Sequence, residues 1–248
     1  MSTRTKITLA SAGILALAAC FLLRPAKISN VPMPSPNGFH EFIRAGQSIQ
    51  ETTAQMKELT DTNSLRDFVA DNAEGLALIR SGLRHESRVV IDLTISLQAG
   101  INSHLQQVTA VQKLVPALLA EGRLAELENR SDHALMSYLD ALRVSHESVR
   151  GGVLLHRISG FSMEQLAAVA LRHVTTNLNA AQCRHAVLVL EEIELQRELI
   201  EVTAERERQW AFLTGGWREK VLLRVFRRTL RRNEEQIAQQ FRTRRVKA

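Results

Sequence analysis

Histidine, cysteine, serine and carboxylate are the side chains that could carry chemistry in this chain, and their spacing decides which chemistry is open to them. Eight histidines are spread over 248 residues. None sits in His-Glu-x-x-His, the helical pair that presents two imidazoles to one zinc ion. His173, Cys183 and His185 are close in sequence, but their spacing is not one that a closed four-ligand site requires. The serines form no Gly-x-Ser-x-Gly elbow and no Ser-x-x-Lys pair, and "GFSMEQ" at 160–165 lacks the second glycine. No phosphate-cradling glycine loop or dinucleotide fingerprint occurs. Carboxylates are plentiful, but at helical spacing they fall four residues from arginines, which is the pattern of solvated ion pairs rather than of a general acid and its base. No catalytic, cofactor-binding or metal-ligating residue is assigned, and no cofactor is expected. Cys183, inside "NAAQCRHAVLVL", is expected to be a small buried residue of a helix.

Cys20 is the other thiol. Arg4 and Lys6 precede an uncharged run from Ile7 to Leu23, and Arg24-Pro25 closes it. That run makes about 25 Å of helix, at the short end for a membrane span. Leu17-Ala18-Ala19-Cys20 resembles the lipobox of bacterial lipoproteins, which implies Cys20 as a lipidation candidate. The run continues past it through Phe21, Leu22 and Leu23, which favours an uncleaved signal-anchor; lipoprotein processing and plain signal cleavage are the other readings. An N-terminal signal-anchor normally leaves the long C-terminal part outside the cytoplasm, so residues 1–27 are expected to tether an extracytoplasmic body. Residues 28–38 follow as a Pro-rich linker. Pro32, Pro34 and Pro36 remove backbone donors there and bias the chain to extended geometry.

The elements that must position everything downstream read as helices. Aromatics are scarce, and after Pro36 only Pro116 interrupts the chain. A β-sandwich would need many more turn residues. The fold class is therefore all-α: an anchor helix, a Pro-rich spacer, an irregular helical bundle over 39–214 and a basic C-terminal helix over 215–248. Phe39, Phe42, Ile43, Gly46 and Ile49 recur at the spacing of a buried helical face. Ser64 with Asp67 reads as an N-cap for a helical run through Leu65, Phe68, Val69, Leu76, Ile79 and Leu83. "VVIDLTISL" at 89–97 reads as helix or irregular chain, since a lone strand has nothing to pair with. Asn179 with Gln182 is a capping pair for a long helix running to Phe212, with Ile193, Ile200 and Ala204 on one apolar seam and Leu195, Leu199 and Val202 beside it.

Residues 116–143, "PALLAEGRLAELENRSDHALMSYLDALR", resemble a single tetratricopeptide repeat, a helix–turn–helix unit with small residues where its helices touch. Gly122, Ala134, Tyr138 and Ala141 occupy the positions of the helix contact row. Gly122 and Ala134 permit close approach, Tyr138 fills the groove beyond, and Pro116 suits the first turn, where its missing N–H costs nothing. Leu118, Ala125 and His146 depart from the family pattern, and neighbouring copies at the repeat period are missing. The expectation is a TPR-like hairpin inside a bundle. "HES" occurs twice, as His85-Glu86-Ser87 and His146-Glu147-Ser148, each after a helical run. The whole chain also resembles a group of bacterial proteins with an N-terminal anchor, a Pro-rich spacer and a helical body. "PNGF" at 36–39, residues 120–143, "SVRGG" at 148–152, "AAQCR" at 180–184 and "RERQWA" at 206–211 carry that likeness, which implies no activity and no site residues.

The net charge of +6 is concentrated at one end: residues 217–248 hold eleven Lys/Arg against three acids. Arg224, Arg227, Arg228, Arg231 and Arg232 lie among Trp217, Val221, Leu222, Val225, Phe226 and Leu230, a basic amphipathic pattern that can contact anionic lipid or dock on the bundle. Nucleic acid is not an expected partner of an exported body. The expected function is a membrane-tethered extracytoplasmic protein–protein interaction module. Its alternatives are a cell-envelope hydrolase with a site assembled from distant residues, and a structural envelope protein whose tail lies on the membrane surface. A cleft with converging His, Glu and Ser would favour the hydrolase; a smooth groove would favour binding.

Overall fold

The computed structural model describes residues 32–50 and 61–216. The expected anchor segment with Cys20, the start of the expected linker and the tail arginines lie outside the described residues. Among the described residues there is no strand, and no helix is long and apolar enough to cross a membrane. The order is α1 (Gly38–Ser48), α2 (Thr62–Asp71), α3 (Ala73–Leu83), α4 (Leu97–Val111), α5 (Leu114–Leu127), α6 (Ser131–Glu147), α7 (Leu154–Val174), a short 3-10 turn (Thr175–Asn177), α8 (Ala180–Leu195) and α9 (Ile200–Thr214).

Asn37 starts the body. Its side chain accepts from the Phe39 amide, capping α1. The same side chain exchanges two hydrogen bonds with the Arg88 backbone, donating to the carbonyl at 2.8 Å and accepting from the amide at 2.9 Å. One side chain thus ties the start of α1 to the loop after α3. Of the predicted stripe, Phe39, Phe42, Gly46 and Ile49 are buried and Ile43 is half-buried, each buried Phe or Ile contributing about 1.5–3 kcal/mol.

Two helical starts differ from expectation. Asp61, not Ser64, caps α2: its carboxylate accepts the Asn63 and Ser64 amides, and the Ser64 hydroxyl donates to it as well. A fully ionised carboxylate at the positive end of a helix outcompetes a hydroxyl three residues inside. The run from Leu65 to Leu83 is also two helices rather than one. Asn72 separates them because its buried side chain donates to the Phe68 carbonyl and accepts from the Gln50 amide, leaving it no place in a continuous helix. Residues 89–96 contain no helix, and Val89 is held by a 2.9 Å bond from its amide to the Arg150 carbonyl.

The α5–α6 pair has the most extensive interface among the described elements. Pro116 lies in the first turn of α5, and the first backbone bond past it runs from Ala117 to the Lys113 carbonyl. Asn129, at φ 57°, stops α5. The Arg130 amide reaches the Ala125 carbonyl and the Asn129 amide the Glu126 carbonyl, a Schellman closure that Asn tolerates. The chain then folds back so that the Tyr138 ring lies on Gly122; a Cβ there would stand 2.4 Å from Tyr138 Cε1. Ala134 and Ala141 are fully buried in the same interface. The Tyr138 hydroxyl donates to Glu126 at 3.0 Å.

α7 runs unbroken, and Gly160 allows close contact with Ser145 of α6 and with Val149 just after it. Asn179 and Gln182 form the expected reciprocal capping box. The helix it opens ends at Leu195, not Phe212. Arg197 leaves the helical path to hold Glu164 of α7 through two hydrogen bonds, and Arg206 holds Glu198, so the chain turns and α9 packs back on α4 and α7. The expected apolar seam opens with it: Leu195 is 87% exposed and Leu199 65%. Cys183 is exposed as well, because α8 buries only the Gln182, Ala186 and Val189 side.

The Gly122–Tyr138 contact carries a prediction. Gly122→Ala adds a methyl inside the Tyr138 ring and is expected to cost about 1–3 kcal/mol, although Ala is the better helix former. In a Tyr138→Ala background the added methyl has room and its cost vanishes. Urea unfolding of the four chains of this double-mutant cycle measures the difference.

Candidate functional site

Three helices end at one place. The last residues of α3 and its exit (Leu83 to Glu86), the last turn of α6 with Arg150, and the last turn of α8 (Glu192, Ile193, Gln196) surround an open cleft of about 400 Å³. Helix C-termini present unpaired carbonyls and partial negative charge, so arginines collect there. Arg84 caps α3, while Arg143 and Arg150 flank the end of α6. The cations are loosely met. Arg143 lies 3.6 Å from Glu192 and 4.0 Å from Asp140, and Arg150 lies 3.7 Å from Glu147. Arg84 forms no ion pair and no side-chain hydrogen bond among the described residues.

Both "HES" tripeptides arrive here. His85 and Glu86 line the cleft from one side, His146 and Glu147 from the other. The third residue of each, Ser87 and Ser148, is fully buried beneath, and neither hydroxyl has a hydrogen-bond partner among the described residues. The cleft therefore gathers two histidines and three glutamates, Glu192 being the third, but no serine meets a histidine. The nearest His–carboxylate approach between these tripeptide residues is His146 Nδ1 to Glu147 Oε1, 3.7 Å. A nucleophile–base pair needs hydrogen-bond reach. The tripeptide repeat was visible in the sequence; that its copies face one another was not.

The sequence-assigned residues lie elsewhere. Gly122, Ala134, Tyr138 and Ala141 are buried in the α5–α6 interface and none lines the cleft. His173 and His185 are exposed, and among the described residues no group of three His, Cys, Asp or Glu is placed to hold a metal ion.

Sequence reasoning missed two buried polar clusters. In the first, Arg80 of α3 reaches Glu121 of α5 and lies 3.4 Å from Asp140 of α6, while the Ser137 hydroxyl donates to Glu121 at 2.8 Å. These carboxylates were expected to be solvated partners on their own helices; instead they are bound across three. Burial alone would raise Glu121, but the Arg80 guanidinium and the Ser137 hydroxyl hold it below the usual carboxylate range. Burial pushes Asp140 up, against Arg80 and Arg143.

In the second cluster, Gln107 of α4 stands between two buried imidazoles, 3.1 Å from His104 Nδ1 and 3.2 Å from His156 Nε2. The Trp210 indole of α9 meets the His104 ring edge-on, with centroids 5.0 Å apart, and covers Gly100. Burial pushes His104 down and, with His104 alongside, His156 down to about 3. Glu207 of α9 accepts the Leu154 amide, and burial raises it.

No protein-family model, curated protein or solved structure matches the chain.

The histidine cluster sets an acid limit. A base depressed on folding stabilises the fold above its unfolded pKa, and that contribution is lost as pH falls towards the folded value. With the ordinary 6.5 lowered to about 3 at His156, about 2 kcal/mol is expected to disappear between pH 7 and pH 5. Glu207 and Asp140 shift the opposite way and gain as pH falls, so the contrast with His156→Gln isolates the histidine. Stability measured by urea unfolding is expected to fall less steeply in that variant over this window.

Proposed function

We propose that the chain is a membrane-tethered, extracytoplasmic helical protein–protein interaction module whose α3–α6–α8 cleft takes a polar segment of its partner. The observation that carries this reading is the state of the charges on the cleft wall. Among the described residues Arg84 is unpartnered, and Arg143 and Arg150 face carboxylates at 3.6–4.0 Å. Part-exposed pairs of that length are worth about 0–1 kcal/mol, so a partner can exchange them for its own at little loss. The TPR-like character of α5–α6 supports the reading in a second way: a tightly packed hairpin holds the α6 end of the cleft rigid. The tether rests on the apolar run from Ile7 to Leu23 and on Cys20.

A specific observation favours a second reading. Two His–Glu pairs facing one cleft suit a cell-envelope hydrolase. Ser87 and Ser148 are sealed below the surface, so water activated by a histidine would be the attacking group.

Crosslinking the native protein in its membrane separates these readings. A specific partner is expected with the wild-type chain, and about tenfold less of it with Arg84→Glu and Arg150→Glu combined. Arg84 is exposed and Arg150 is part-buried beside Glu147, so reversing both charges at helix C-termini is expected to cost about 1–2 kcal/mol in all, which urea unfolding measures. An unchanged capture, or recovery of the intact unprocessed chain from the soluble fraction, overturns the proposal. Loss of hydrolysis of envelope material in His85→Gln and His146→Gln would establish the second reading. Acyl labelling that disappears in Cys20→Ala identifies lipoprotein processing rather than a span.

A further inference from the structure

Among the described residues, helix α8 has no neighbour on its outer side. It buries Gln182, Ala186 and Val189, with Ile193 partly covered, as a narrow seam. Its other faces carry Cys183, Val187, Leu188 and Leu190, all exposed, and the apolar surface continues over the turn into α9 through Leu195, Leu199 and Val202. Leu188 is 65% exposed. Cys183, Val187 and Leu190 lie on one side of the outer surface and Leu188 and Leu195 on the other, with Arg184 and Glu191 between them. Exposed apolar area of this extent on a surface helix marks a place that something covers. Glu191, Glu194 and Glu201 are exposed along it, Glu194 being paired with Arg197 at 2.7 Å. Residues 180–216 hold seven carboxylates and four arginines.

Charge selects among the occupants. A second copy of this face would set like charges against each other, and an anionic bilayer would do the same. The chain itself supplies a complement. Beyond Gly216, directly after α9, follow 32 residues with a net charge of +8. In their sequence Leu222, Phe226 and Leu230 recur every fourth residue, and Arg224, Arg227 and Arg231 occupy the opposite helical positions. Length agrees as well. α9 has 15 residues, about 22 Å of helix, so half of a 32-residue segment folding back along it reaches Leu199 and Leu195, and the remainder extends over α8. We infer that residues 217–248 dock on the exposed apolar and acidic face of α8 and the α8–α9 turn, as an intramolecular clasp.

Cys183 lies on that face and reports on it. In the full-length chain with Cys20→Ser it is the only thiol. A second thiol is then placed in the tail, one position at a time, by Leu222→Cys, Phe226→Cys or Leu230→Cys, with Arg224→Cys and Arg231→Cys as controls. Mild oxidation is expected to close an intramolecular disulfide from at least one apolar position about tenfold faster than from the arginine positions, and added salt is expected to slow it. Disulfide-linked dimers would assign the face to a second copy and overturn the inference. Equal rates at apolar and arginine positions, or no disulfide, overturn it too, as does loss of the crosslink on adding vesicles rich in phosphatidylglycerol. A separate arm needs no new cysteine: ending the chain after Gly216 is expected to speed maleimide labelling of Cys183, and an unchanged rate counts against docking.

Discussion

Helix α6 is enclosed by α3, α5, α7 and α8, and from Ala134 to His146 nearly every residue is buried. A helix in that position can carry a charge only if the charge is met inside the protein, because an unpaired buried ion costs several kcal/mol. Asp140 is therefore met by Arg80, which comes from α3 and also binds Glu121 of α5. One guanidinium, about a third exposed, closes two carboxylates from two helices. The bundle depends on that meeting. α3 is positioned against the α5–α6 pair by it, α1 is packed on α3, and the loop after α3 is tied back to Asn37.

The cleft follows from the same arrangement. α3 and α8 both pack on α6, and the ends of all three line one open space among the described residues. Inside the bundle, ion pairs are short and fully engaged: Arg80 with Glu121, and Arg197 with Glu164. At the cleft they are long and partial. That contrast is a difference of environment. Interior pairs cannot be left open without a large penalty, whereas cleft pairs are screened by water and can be broken cheaply.

Much of the helical pattern was legible residue by residue. The Asn179–Gln182 capping box, the α1 stripe of Phe39, Phe42 and Ile49, Pro116 in a first turn and the Gly122–Tyr138 contact all involve residues within a few turns or one hairpin of each other. The errors share another property. Asn72 breaks a helix because of Gln50, Arg197 ends α8 because of Glu164, and Trp210 pulls α9 onto Gly100 and His104. Each partner is 22 or more residues away in sequence. Cys183 was misplaced for a related reason: an apolar helical sequence with no marked polar side does not reveal which side meets α6.

By itself, then, the sequence determined helix where helix formers and caps recur, and a strongly basic segment beyond a near-neutral body. These are matters of local backbone preference and of counting charges, and they hold whatever the chain packs against. Only the tertiary structure decided which carboxylates are buried across helices and which remain on the surface. It also decided that two distant copies of one tripeptide face each other over a cleft. Both depend on the distances between helices, which are set when apolar stripes and charged groups from the whole chain are satisfied together.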